Sequence, residues 1–113
     1  MWIMISGPYI SGAVDAAGRA ANLRVLNAAA LALFERGHVP IVGVNLALPL
    51  TEFAGPQRYD EIMMPLSLAA ADRCDACLRI GGPSKGADEE ADRFRARGLP
   101  VYSRLEDVPE AGG

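Results

Sequence analysis

Apolar and polar positions follow two different periods along this chain. Met1 to Ser6, MWIMIS, is short, almost wholly apolar and closed by Gly7-Pro8, as a strand buried on both faces of a parallel sheet should be. It is therefore expected at the centre of a sheet. His38 to Asn45, HVPIVGVN, is a second short β-branched run, Asp75 to Ile80 a third, and Pro100-Val101-Tyr102 a brief fourth. His38 stands at the start of its strand, away from the ligand end of such sheets, and is expected to be structural.

Between these runs the period lengthens to that of a helix. Leu23, Leu26, Ala30, Leu33 and Phe34 form one apolar face of a helix that ends at Arg36, with Gly37 at the C′ position. Asp15 can cap its start, but Gly18 costs about 1 kcal/mol inside a helix, so the regular part is expected beyond it. Asn27 sits on the apolar face as a satisfied polar contact. A second helix covers Arg58 to Arg73, with Tyr59, Ile62, Met63, Leu66 and Ala70 read as core. Pro65 lacks the N–H that would bond Glu61, which predicts a kink or a fresh start near Met64. A third helix runs to about Arg97 and ends at Gly98. Leu46 to Gln57 holds Pro49, Gly55 and Pro56 without a clear period. It reads as a connecting loop, either a lid over a flat apolar ligand or plain surface. Ser103-Arg104-Leu105-Glu106 fits a capping box opening a last helical turn, and Glu110 to Gly113 should fray.

This βαβαβαβ order predicts one domain over residues 1–113, an α/β three-layer αβα sandwich. Its parallel sheet of about four strands is flavodoxin- or Rossmann-like, in the order 2-1-3-4. Ligands in such sheets bind at the carboxyl ends of the strands, where the chain reverses direction between strands one and three. The loops at those ends are Ser6-Gly7-Pro8-Tyr9-Ile10-Ser11-Gly12 and Gly81 to Glu90, GGPSKGADEE. Topology alone predicts that they converge.

Composition narrows the partners. Of 113 residues half are apolar and 22% charged, the net charge is −3, and eleven Lys and Arg are spread along the chain with seven aromatics. That is no footprint for a nucleic-acid polymer. No apolar run approaches the roughly 20 residues of a membrane span, and Met1 to Ile5 lacks the basic flank of a signal peptide. A cytoplasmic setting without membrane association is the expectation. Cys74 and Cys77 form a C-x-x-C that leads into a strand, whereas redox pairs open a helix, so both read as structural thiols. A zinc site needs about four ligands, and two Cys with the distant His38 do not supply them. Neither a metal nor a cofactor is expected.

The second loop carries the chemistry. Gly82 and Gly86 allow close ligand approach, and the N–H groups of Lys85, Gly86 and Ala87 open a helix without intrahelical acceptors. Such an end attracts anions. Ser84 and Ser11 add hydroxyls, and Arg19, a turn or so beyond the first loop, is either a solvated arginine or one that reaches an anion there. Ala87, Glu90, Ala91 and Phe94 share one helical stripe, which turns Glu90 toward the sheet, while Glu89 is expected outward in an i, i+4 pair with Arg93. Near the helix N-terminus, Glu90 is expected to keep a low pKa.

The segments MISGPY, RCDACLRI, SKGADEE and RARGLPVY together resemble the nucleoside 2-deoxyribosyltransferase-like superfamily. The likeness is greatest to its small members, which include 2-deoxynucleoside 5-monophosphate N-hydrolases and relatives of unknown function. It spans nearly the whole chain and centres on Ser-x-Gly-x-x-x-Glu, matched by Ser84, Gly86 and Glu90. The resemblance implies cleavage of an N-glycosidic bond, by hydrolysis or transfer, with Glu90 attacking the anomeric carbon and Ser84 holding phosphate or sugar. It further implies a nucleoside or nucleoside 5′-monophosphate ligand and a homodimer. The family's aspartate falls on Ser67 here. Its first-strand tyrosine falls on Met4 or Ile5, so Tyr9 is the candidate for that role. The alternative is a nucleotide-sensing module that keeps the crevice without catalysis. The candidate site is thus Glu90 and Tyr9 for catalysis, with Ser6, Gly7, Pro8, Ser11, Gly12, Arg19, Gly82, Ser84, Lys85 and Gly86 around the ligand.

Overall fold

The computed structural model of the protein describes residues 1–111. Four strands, β1 (Trp2–Ser6), β2 (Val39–Val42), β3 (Ala76–Arg79) and β4 (Val101–Tyr102), form one parallel sheet in the order β2-β1-β3-β4. The expected order holds. Four helices complete the α/β sandwich: α1 (Ala16–Glu35), α2 (Gly43–Ala54), α3 (Tyr59–Ala71) and α4 (Lys85–Ala96).

The pleat of β1 divides the core. Ile3 and Ile5 face one side, where they pack with Leu26 and Leu33 of α1, Val44 and Ala47 of α2, Met63 of α3 and Leu78 of β3. Met4 faces the other side with Cys77, Ala71, and Ala91 and Phe94 of α4. All three β1 residues are fully buried, as alternation on a central, doubly covered strand requires.

Several local expectations are corrected. The segment from Leu46 is no loop: α2 runs through Pro49, and a 3-10 turn at Pro56–Arg58 joins it to α3. It buries Val44 and Ala47 in the core, which outweighs the one ladder bond that Pro49 removes. Likewise α3 passes through Pro65 without a fresh start. In α1 Asp15 does cap the helix, accepting from Gly18 N at 2.8 Å, so Gly18 lies inside the regular part. Phe34, expected in the core, is exposed.

The capping box at Ser103 does not form. Arg104 takes the N-cap position of a 3-10 turn (Leu105–Asp107) and pairs with Asp107. Ala111 N bonds to Arg36 O at 3.0 Å, so the expected fraying does not reach it, while Gly112 and Gly113 lie outside the described residues. His38 is buried between the Met1 amino group, 2.9 Å from Nδ1, and Pro109 O, 2.6 Å from Nε2. It holds the two ends of the described chain together. Cys74 and Cys77 are free and buried, with burial pushing both thiols up to about 11. No helix among the described residues is long and apolar enough to cross a membrane.

Candidate functional site

At the carboxyl ends of β1 and β2 the loops and helices enclose a cavity of about 440 Å³, a volume suited to a small organic ligand. Two side chains fix its loops. Asn22 of α1 donates to Tyr9 O at 2.7 Å and Ser11 O at 3.3 Å, which holds the loop after β1. A Cβ on Gly7 would stand 2.8 Å from Ile80 O, so only glycine lets this loop lie against the end of β3. On the other side Arg79 donates to Ile80 O at 2.6 Å and Gly82 O at 2.9 Å and pairs with Asp88 Oδ1 at 3.0 Å. That folds residues 79–88 into a fixed turn.

The turn delivers Ser84 as the N-cap of α4, with Oγ accepting from Ala87 N at 3.2 Å. The Ala87 amide is therefore satisfied internally. Lys85 and Gly86 keep amides without an acceptor among the described residues.

One and a half turns into α4, Glu90 is 4% exposed and lines the cavity. The buried Ser67 hydroxyl of α3 donates to Glu90 Oε2. The two meet over Gly43 at the start of α2, where a Cβ would overlap the Ser67 hydroxyl and stand 3.4 Å from Glu90 Oε2. Glycine there is a condition of the contact.

Burial pushes the Glu90 carboxyl above its usual range, and hydrogen bonding from Ser67 and then Ser6, with the nearby charge of Arg79, pulls back only in part. This corrects the expected low pKa. The helix field fades beyond the first turn, and Glu90 lies past it, so desolvation wins. Also on the cavity wall, Tyr59 and Tyr9 pair with ring centroids 6.0 Å apart and planes tilted by 34°. Burial, then the charges of Tyr9, Asp60 and Glu90, pushes the Tyr59 phenol up to about 12, so it remains a proton donor at neutral pH.

No family model, curated protein or solved structure matches this chain.

Of the residues proposed from sequence, Gly7, Tyr9, Ser11, Ser84, Lys85, Gly86 and Glu90 line the cavity together. The others do not. Ser6 is buried behind it beside Cys77, 3.5 Å from Sγ. Pro8 and Gly82 flank a separate small hollow. Gly12, with φ of 76°, lies outside the lining, as does Arg19 on α1. Glu89 is exposed yet lines the cavity, and its expected partner Arg93 instead grips Asp72 at 2.7 and 3.1 Å.

Sequence reasoning missed Tyr59, Asp60, Met63 and Met64, all on the cavity wall. Tyr59 and Met63 lie on the face of α3 that its period assigns to the core, but the first turns of α3 also line the cavity. It also missed the roles of Asn22 and Arg79. The available signals are a polar side chain within two helical turns of the first loop and an arginine two residues before Gly81. Among the described residues no cluster of His, Cys, Asp and Glu could hold a metal ion.

Proposed function

We propose that this cavity binds a nucleoside or nucleoside 5′-monophosphate and that Glu90 cleaves its N-glycosidic bond, as the motifs resembling the nucleoside 2-deoxyribosyltransferase-like superfamily imply. The observation that carries the reading is Glu90 itself. It is a buried carboxyl, facing a ligand-sized cavity at the carboxyl ends of β1 and β2, with one oxygen held by Ser67. A buried acid without a cation in contact is costly to keep in a core, so a chemical role accounts for it better than packing.

In this mechanism ionised Glu90 attacks C1′ through the oxygen that Ser67 does not hold. The C1′–N bond breaks as the ester forms, and its electron pair leaves with the base. The base takes a proton from a phenol on the cavity wall, Tyr9 as expected or Tyr59 beside it. Water then opens the ester, and its second proton restores the phenol. A second base in place of water gives transfer. The raised pKa of Glu90 means that the nucleophile is fully available only toward higher pH.

One observation favours a second reading, a nucleotide-sensing module without turnover. The position that resembles the family's aspartate is the neutral Ser67, so the side chain in contact with Glu90 is a hydroxyl and not the carboxyl that would assist the leaving base. A homodimer belongs to both readings. Leu46, Leu50 and Phe53, at i, i+4 and i+7 on α2, are exposed apolar side chains on one helix face. Chromatographic detection of free base, after incubation with nucleosides and their 5′-monophosphates, separates catalysis from binding alone.

A further inference from the structure

We infer that the ligand of the cavity carries no phosphate: it is an uncharged nucleoside with a free 5′-hydroxyl, and the carboxylates around the cavity select against its 5′-monophosphate. The inference rests on the nucleoside-site reading and adds the charge of the ligand to it.

The balance of charge on the cavity wall is acidic. Three carboxyl side chains, Asp60, Glu89 and Glu90, line it, against the single cation Lys85. Asp60 and Glu89 are exposed, and neither belongs to any ion pair among the described residues. Their charge therefore faces whatever enters. The cations that a phosphate would need are elsewhere. Arg19 is outside the lining, and Arg79 is committed to Asp88 and two loop carbonyls.

What remains for an anion is slight. The Ser84 hydroxyl already accepts from Ala87 N and has one proton left to give, beside the Lys85 and Gly86 amides. A monophosphate brings a charge of about −1.5 to −2 at neutral pH. Placing it beside the exposed carboxylates Asp60 and Glu89 opposes binding by like-charge repulsion and by loss of its water. A nucleoside reverses the sign of each contact. Its sugar hydroxyls and base N–H groups are donors, and carboxylates are acceptors of strong, charge-assisted hydrogen bonds. The apolar wall at Met63 and Met64 suits the flat face of a base.

The test is calorimetric titration of the full chain with the common deoxyribonucleosides and ribonucleosides, each beside its own 5′-monophosphate. At least one nucleoside is expected to bind about tenfold more tightly than its monophosphate at low ionic strength, with the gap narrowing as salt screens the carboxylates. The double variant Asp60→Asn with Glu89→Gln, both exposed positions, should narrow the gap chiefly by strengthening the monophosphate. A monophosphate that binds as tightly as its nucleoside, or more tightly, overturns the inference and leaves the nucleotide-site reading standing. A nucleoside preference that neither salt nor the double variant alters overturns the assignment to these carboxylates. Binding of neither class overturns the site reading and the inference with it.

Discussion

The Ser67 hydroxyl donates a hydrogen bond to Glu90 Oε2, from the middle of one helix to the middle of another, across the space that Gly43 leaves empty. This contact fixes one oxygen of a carboxyl that lines the cavity. Because the bond favours the charged form, Ser67→Ala should raise the Glu90 pKa further. A carboxyl titration followed by carbon NMR should show the midpoint moving to higher pH, with a loss of about 1 to 3 kcal/mol of stability from the unsatisfied buried group. Gly43→Ala should cost a similar amount, on the order of 1 to 3 kcal/mol, by overlap with Ser67. In the double variant Gly43→Ala with Ser67→Ala the losses should be less than additive on thermal denaturation. An unchanged Glu90 midpoint in Ser67→Ala would contradict the account of the contact.

The raised pKa of Glu90 also sets a pH dependence of folding. Its folded pKa lies above the ordinary value of 4.5, so the folded state holds the proton more tightly than the unfolded chain. Its contribution to stability is complete below the ordinary pKa and is lost as pH rises through the folded value. Glu90→Gln keeps the size and removes the charge. It should therefore be more stable than the parent at neutral pH, seen as a higher Tm. The gain should vanish below the ordinary carboxyl range. Equal denaturation curves at both pH values would show that Glu90 is not held as described.

The exposed face of α2 makes the oligomeric state testable. Phe53 is 93% exposed, with Leu46 and Leu50 on the same face, an apolar surface that a second copy would cover. Light scattering at micromolar concentration should give the mass of a dimer, and Phe53→Asp should shift it to a monomer while leaving thermal stability of the monomer intact. A parent that is monomeric throughout would remove the homodimer from the proposal.

The sheet was legible from sequence because its strands are short apolar runs bounded by glycine and proline, and their order follows from the connections. Glu90 was legible for a similar reason: an acid on the stripe Ala87, Ala91, Phe94 must be buried if the helix packs at all. What failed depended on packing between helices. Pro49 and the absence of a clear period hid α2, although tertiary contacts hold it as a helix. Arg93 had two acids within reach, and the choice of Asp72 over Glu89 depends on how α3 and α4 lie side by side. Ser67 is a neutral residue whose role exists only through Glu90 and Gly43, three segments apart in the chain. Burial, not helix position, decided the direction of the Glu90 pKa, and burial is the quantity that a local pattern states least well.

The most direct measurement is release of free base by the purified protein, compared between the parent and Glu90→Gln across nucleosides and their 5′-monophosphates. The account predicts release by the parent on at least one of them, faster as pH rises through the Glu90 midpoint. Glu90→Gln should still bind that ligand and lose activity by about a thousandfold or more, and Glu89→Gln should retain base release. Undiminished release by Glu90→Gln, or no release by the parent on any nucleoside or nucleotide, would contradict it.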